Sequence, residues 1–327
     1  MEDIFISIII NSYKRREYIK EAILSVLNQD FDKEKYEIIV VKGFNDDEID
    51  TFLQMNKIIN IYVDSIYNGE RWVEGIKISK GNLICFMDDD DIFSAKKLSR
   101  IYTIYKDNLF DYYHNCYTFD LGTVSKEFSN YMSLETDNTK KNLHKFLKYN
   151  IKFKLNINSS SICISRDIIM NYIEESKQVT VGWDVYLFYL YLSHASKFII
   201  DNTCLTYYRQ HTSYSHSFEN ITEFREKEFM RNNDAEGAYI LYINIVSQKF
   251  LKETLKYEAF SYKIPLYLCE PDYSKALKIT SLFLFLLKAK SYSNKFRLVY
   301  FSLGILSRLS KDYAFNIYFR LARKRIL

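Results

Sequence analysis

The sequence predicts an α/β domain with a mainly parallel sheet, followed by a helical region. Two observations carry this. Short apolar, β-branched runs alternate with segments of helical period, and the last third of the chain is patterned as helix almost throughout. A third observation says where to look for a site. LICFMDDDDIF (83–93) is a strand of buried type that runs directly into four aspartates.

The elements follow in order. IFISIII (4–10) has the length and composition of a strand buried on both faces. Asn11 and Ser12 come next, residue types that cap helices. In EYIKEAILSVLN (17–28), Tyr18, Ala22 and Val26 share a helical face, with Ile19, Ile23 and Leu27 beside it. YEIIVV (36–41) and IINIYV (58–63) are the second and third strands. Residues 73–79 read as a short helix ended by Lys80-Gly81, and 83–87 as the fourth strand. Residues 94–110 look helical, and 111–150, which show no clear period, read as loops and short elements. SSSICIS (159–165) is a further strand, GWDVYLFYLYLSH (182–194) a buried helix, and 197–200 and 205–208 are strands. Beyond 221 the pattern is helical, punctuated by Pro265 and Pro271.

The bulk numbers bound the answer. With 327 residues, 48% of them hydrophobic, the chain can bury one large core and carry an appendage. The five cysteines, Cys85, Cys116, Cys163, Cys204 and Cys269, lie far apart. Without a CxxC pair a zinc site is not expected, and an odd count argues against a disulfide framework. A reducing cytoplasm fits that pattern. No leader pattern opens the sequence, and the apolar runs 279–287 and 298–307 are well short of the roughly 20 residues that cross a bilayer. The net charge of +4 hides an asymmetry. From Tyr273 onward, twelve bases face one acid, Asp312, a net of +11, which leaves −7 for the remainder. A tail of that sign is expected to meet a negative surface.

Four adjacent carboxylates repel one another. At the carboxyl end of a strand in a parallel sheet, where ligands bind, a divalent cation would remove that repulsion. Mg²⁺ and Mn²⁺ take one or two protein carboxylates and keep positions for substrate phosphates. Extended spacing would point Asp88 and Asp90 to one side, with Asp89 between. The plainer reading is an acidic helix start.

The chain resembles family 2 glycosyltransferases of the GT-A fold, Rossmann-like with a mainly parallel sheet and flanking helices. The resemblance rests on ISIIINSYKRREYIKEAILSVLNQ (6–29), YEIIVV (36–41), GIKISKGNLICFMDDDDIFSAKKL (75–98), SSSICISRD (159–167), GWDVYLFYL (182–190) and YYRQH (207–211). It implies a nucleotide-diphosphate-sugar donor, Mg²⁺ or Mn²⁺, and inversion at the anomeric carbon. It makes Asp88 and Asp90 the family's Asp-x-Asp motif. Asp90 would then be the main metal ligand, with Asp88 on the donor or the metal shell and Asp89 beside them on the donor side. Asn11, Ser12 and Tyr13 would line the nucleotide pocket. Two departures stand out. The aspartates that commonly follow the second strand are Lys42 and Gly43 here, with Asp46 and Asp47 further on. Arg71-Trp72-Val73 replaces the usual Ala-Arg-Asn, so Arg71 either reaches the diphosphate or is a surface arginine.

An inverting transfer needs a general base. The family's acidic pair aligns with Val181-Gly182, which leaves Asp184 as the carboxylate of that block. Its apolar surroundings favour a raised pKa. The alternative is a helix cap. In YYRQHTSYSHS (207–217), Arg209 would stabilise the leaving diphosphate and His211 would reach phosphate or metal.

The tail holds two helical faces, Phe296, Val299, Leu303 and Leu306, and Phe315, Phe319, Ala322 and Ile326, among many bases. Basic amphipathic helices of this kind lie at a membrane interface, pack as a helical subdomain, or form a homodimer. Nucleic acid is not expected, since no recognition motif accompanies the charge.

The sequence therefore predicts a catalytic domain over 1–220 and a helical, basic region over 221–327. It predicts a cytoplasmic glycosyltransferase, peripheral at the inner face of the membrane, with a glycan or lipid-linked acceptor. The rivals are a sugar-phosphate nucleotidyltransferase and a non-catalytic sugar- or lipid-binding module.

Overall fold

The structure, a computed structural model, describes residues 5–125, 127–210, 220–270, 277–289 and 292–323. In order these form β1 (Ile6–Ser12), α1 (Ile19–Leu27), β2 (Tyr36–Lys42), α2 (Asp47–Met55), β3 (Ile59–Tyr62), α3 (Asn68–Ile78), β4 (Leu83–Asp88), β5 (Ile92–Phe93) and α4 (Lys97–Asn108). Next come β6 (Tyr112–Thr118), β7 (Tyr131–Glu135), α5 (Lys140–Phe153), β8 (Ile162–Ser165), α6 (Arg166–Met170), α7 (Ile173–Lys177), α8 (Trp183–His194) and β9 (Lys197–Tyr207). The helices α9 (Ile221–Ile245), α10 (Lys249–Cys269), α11 (Ile279–Lys288), α12 (Asn294–Leu309) and α13 (Lys311–Arg323) follow.

Two compact units result. One comprises 1–139 and 153–210, the other 140–152 and 211–327. The sequence reading drew one boundary, at 220, whereas the second unit also takes in most of α5.

The first unit is a mixed sheet in the order β3-β2-β1-β4-β8-β6-β9-β5, with β7 on β9. β3, β2, β1 and β4 run parallel, which sets Asn11, Lys42 and Asp88 at one end of the sheet. Beyond β4 the directions mix, since β8 is antiparallel to β4 and to β6. Ile6, Ile8 and Ile10 alternate with Ile9 along β1, and all four are fully buried, as a strand covered on both faces requires. Nine of the twelve residues of α8 are buried, so this helix is apolar all round.

Several elements depart from the sequence reading. The stretch 111–150 holds the short strands β6 and β7 and also a long helix, α5, which runs on to Phe153. α5 buries Leu143, Phe146, Leu147 and Asn150, a helical spacing interleaved with lysines. α2 is built around only two buried residues, Ile49 and Leu53. Its start is fixed by Asp46, whose carboxylate accepts the Ile49 N–H (3.0 Å). The segments 197–200 and 205–208 prove to be one strand, β9, which ends at Tyr207. Pro265 lies inside α10, whereas Pro271 is outside the described residues. Cys116 and Cys204 form a disulfide across β6 and β9, contrary to the expectation from the odd count. The ladder brings them together although 88 residues separate them.

Gly69, in the first turn of α3, shows how tightly the site's supports pack. A Cβ there would stand 2.2 Å from the Ser176 carbonyl oxygen and 2.9 Å from that of Val179. Both obstacles are backbone, so Gly69→Ala forces α3 away from the chain around α7. Overpacking of this kind costs about 1–3 kcal/mol. A thermal melt is expected to fall by roughly 2–4 °C per kcal/mol; an unchanged melt would show that α3 yields without cost.

Candidate active site

The strand ends at Asp88 and the chain turns at once. The extended alternation that would aim Asp88 and Asp90 alike therefore stops there, and each aspartate finds a different environment.

Asp88 accepts a hydrogen bond from the Ser159 hydroxyl, and its own N–H donates to Ser160 Oγ (2.9 Å). Burial, then the charge of Asp90, raises its carboxyl to about 7. Asp89 is buried and held from two sides. Ser12 Oγ donates to Oδ2 (2.5 Å), and Arg15 Nε donates to Oδ1 (3.0 Å). Asp90 is ion-paired with Arg15 Nη2 at 2.8 Å. Asp91 is fully buried and accepts the Arg209 N–H (3.1 Å). Its carboxyl is raised, by burial first and then by Asp88 and Asp90. The four carboxyl groups are thus divided among serine hydroxyls, the Arg15 guanidinium and the Arg209 backbone N–H.

Sequence reasoning missed Arg15. It lies in NSYKRRE, directly after Lys14, whose φ of 63° is left-handed. That turn lets residues just past β1 face back toward β4. The available signal was a base in the loop adjoining an acidic loop on the neighbouring strand. Lys97 was also missed. It is completely buried, with Nζ bonded to Ser160 O and Thr206 Oγ1 (3.0 Å) and lying 3.7 Å from the centre of the Phe93 ring. Burial lowers its pKa to about 8. It props the chain beneath the aspartates.

Two cavities meet at Asp88. The larger, ≈ 380 Å³, is lined by Asn11, Tyr13, Arg15, Arg71, Asp88 and Asp89 among others. Arg71 is not a surface residue. It is buried, donates through Nε to Asn11 Oδ1 (2.8 Å) and through Nη1 to Ser65 O (2.5 Å), and stacks on Tyr13 at 4.4 Å. Ser12 is buried behind this wall, its hydroxyl given to Asp89.

The smaller cavity, ≈ 170 Å³, is lined by Asp88, Asp184, Asn158, Ser159, Trp183 and Tyr208 among others. Asp184 is in the first turn of α8, after Gly182, whose φ of 69° suits glycine. Its oxygens accept the N–H groups of Val185 (2.9 Å) and Asn158 (2.9 Å). Gly182 is the N-cap, so Asp184 is a first-turn acid that satisfies two backbone N–H groups and lines the cavity. Burial raises its pKa to about 6, although the N–H donors oppose the shift. Behind it, Trp183 stacks on Trp72 (6.0 Å) and meets the edge of Phe86 on β4 (5.7 Å).

Arg209 lines neither cavity in this arrangement. Its Nε donates to the Asp90 carbonyl (2.8 Å) and its Nη2 to Glu21 (2.5 Å), which ties β9 to the aspartate turn and to α1. His211 lies outside the described residues. At the end of β2, Lys42 is buried and paired with Asp50 (2.8 Å), Asp46 caps α2, and Gly43 approaches the Tyr13 ring.

Residues 7–169 match the sequence model of Glycosyl transferase family 2. A poly(ribitol-phosphate) beta-glucosyltransferase of Bacillus spizizenii is 36% identical over 113 residues, which is 32% of this chain and 18% of the relative. A GalNAc(5)-diNAcBac-PP-undecaprenol beta-1,3-glucosyltransferase of Campylobacter jejuni is 28% identical over 132 residues, 38% of this chain and 42% of the relative. The chain thus spans less than half the length of these relatives. Among solved structures, S. aureus TarS 1–349 in complex with UDP-GlcNAc superposes with a TM-score of 0.59 at 12% identity, covering 93% of this chain and 91% of that one. A mannosyltransferase from Pyrobaculum calidifontis in complex with GDP-Man and Mn²⁺ gives 0.54 at 10% identity, covering 94% and 87%. These likenesses establish the GT-A fold of the chain.

Proposed function

We propose, from the premise that the chain belongs to glycosyl transferase family 2 through residues 7–169, that it moves a sugar from a nucleotide-diphosphate donor to a glycan or lipid-linked acceptor, with inversion. One observation carries the reading. Asp88 is shared by a cleft walled with Tyr13, Arg15 and Arg71 and by a pocket that holds Asp184. The first has a ring and two guanidinium groups, which suit a base and a diphosphate. The second has a carboxylate beside the place where the sugar would join them.

The residues fit a divalent ion of a particular kind. Among the described residues no three His, Cys, Asp or Glu groups gather to cage a metal. Burial and Asp90 nevertheless disfavour the ionised form of Asp88, which a cation would favour. This suits Mg²⁺ or Mn²⁺ held by Asp88 and Asp90 and completed by substrate phosphates. When bound, such an ion neutralises charge on the leaving diphosphate.

The protein's own groups then act as follows. Asp184, ionised at neutral pH, accepts the proton of the acceptor hydroxyl as that oxygen bonds to the anomeric carbon. The bond from that carbon to the diphosphate breaks on the opposite face. Arg71 and Arg15 stabilise the departing negative charge. Relatives named for undecaprenol-linked and poly(ribitol-phosphate) substrates support a lipid-linked or polymeric acceptor. Contact of the basic C-terminal helices with a membrane would bring the enzyme to a lipid-linked one. A homodimer is the competing use of those helices.

The test is calorimetric titration of the chain with UDP, GDP, ADP, CDP and dTDP, with and without Mn²⁺. One diphosphate is expected to bind well above the others, and only with the ion. Absence of binding by every member of the panel would defeat the donor assignment.

A further inference from the structure

The two apolar faces read from the tail sequence point inward. Leu303 and Phe315 are buried in the helical unit's core, and Phe296, Val299, Leu306, Phe319 and Ala322 pack against it. Ile326 lies outside the described residues. A different apolar surface faces water.

On α11, Leu282 and Phe285 are buried, while Ile279, Phe283 and Leu287 recur every four residues on the outer side, 44%, 50% and 60% exposed. Leu284 lies beside them at 39%. Phe283 packs on Phe301 of α12 (5.0 Å), so the stripe continues there toward Leu298, which is 55% exposed. Contiguous exposed apolar surface of this kind marks an interaction site.

Charge selects the occupant. From 277 to 311 the sequence contains no acid, and Lys278 at the start of α11, Lys288 in its last turn and Lys295 in the first turn of α12 are exposed bases, Lys288 lying 5.5 Å from the Tyr257 ring. A second copy would bring like charges together. Anionic headgroups would receive them, with the apolar ridge entering the acyl boundary. No described helix is long and apolar enough to cross a membrane, so the helices would lie along it.

We infer that the outer face of α11 and α12 docks on anionic lipid. The inference deepens the membrane part of the proposed function and rests on it. Its test needs no turnover, so a failure here leaves the glycosyl-transfer reading standing, and a failed nucleotide titration leaves the docking face standing.

The full chain is sedimented with vesicles of phosphatidylcholine, with and without phosphatidylglycerol. Binding is expected only to the anionic vesicles and is expected to weaken as salt rises. Phe283→Ser/Leu287→Ser, and separately Lys288→Glu/Lys295→Glu, are each expected to weaken partition by about ten-fold or more. The second pair changes only exposed polar positions, so it keeps the test valid where the first disturbs the fold. Wild-type protein that ignores anionic vesicles, or a charge-reversed variant that binds them equally, overturns the inference. So does a concentration-dependent dimer that Phe283→Ser/Leu287→Ser dissociates, because the stripe would then be a self-interface.

Discussion

Asp184→Asn is expected to lower kcat by about 10²–10⁴-fold, the usual contribution of a general base, and to leave nucleotide-diphosphate affinity nearly unchanged. The separation follows from the geometry. Asp184 lines the smaller cavity and not the larger one. The amide can keep one of the two N–H bonds from Asn158 and Val185, and its NH₂ then faces the other donor. A modest loss of stability should accompany the loss of turnover, so the thermal melt belongs beside the assay. The pH profile gives an independent reading. The wild-type rate should rise as pH passes through about 6, because only the ionised carboxylate accepts a proton. The variant should lack that limb. The same raised pKa acts on stability in the opposite sense. The folded state holds this proton more tightly than the unfolded chain, so the group's contribution falls as pH rises from its unfolded value through about 6. A variant that turns over normally would leave Asp184 as an acceptor of the Asn158 and Val185 N–H groups alone and reopen the non-catalytic alternative.

Asp88→Ala should do the reverse, abolishing donor binding while the fold gains or keeps stability. Outer-shell partners of bound metals are worth about 10–100-fold in affinity, and a direct ligand should be worth at least that. The expected result is loss of the Mn²⁺-dependent part of nucleotide binding, measured by calorimetry, with the same loss for Asp90→Ala. In the ligand-free protein, however, the Asp88 carboxylate is a charge that burial and Asp90 disfavour. Its removal relieves repulsion among neighbouring acids, and the Asp88 N–H keeps its bond to Ser160. A melt that rises while binding disappears is the signature of a residue retained for function at the expense of stability. Nucleotide binding that survives intact in Asp88→Ala would remove this residue from the donor site.

The sequence was most readable where burial is two-sided. β1, β2 and β4 are largely continuous apolar runs because both their faces are covered. Their common carboxyl end located the aspartates before any contact was known. Elements with a thin buried stripe were harder. α2 has two inward residues and an acidic first turn, so its aspartates drew notice for their charge while one of them was capping. α5 was hidden by lysines between its core positions. The resemblance grouped Asn11, Tyr13, Arg71 and Asp184 with Asp88, which share its cavities, but the specific pairings of the arginines with the aspartates were not readable. Arg15 meets Asp89 and Asp90 across 74 residues and more of sequence, and Arg209 meets Asp90 across 119. Only strand order brings them together, and residue spacing does not encode it. The tail left more than one use of its apolar faces open. Amphipathic faces were correctly found on α12 and α13, but a helix in a bundle also needs such a face. What distinguishes the water-facing stripe of α11 is its exposure.

The stack behind Asp184 has a practical consequence. The chain has two tryptophans, and they are the pair in that stack, Trp72 and Trp183. Trp183 precedes Asp184 in sequence and itself lines the smaller cavity. Intrinsic emission excited beyond the absorption of tyrosine therefore arises at the floor of one pocket. The protein carries its own optical reporter, and a sugar or acceptor entering beside Asp184 should change its intensity without any label.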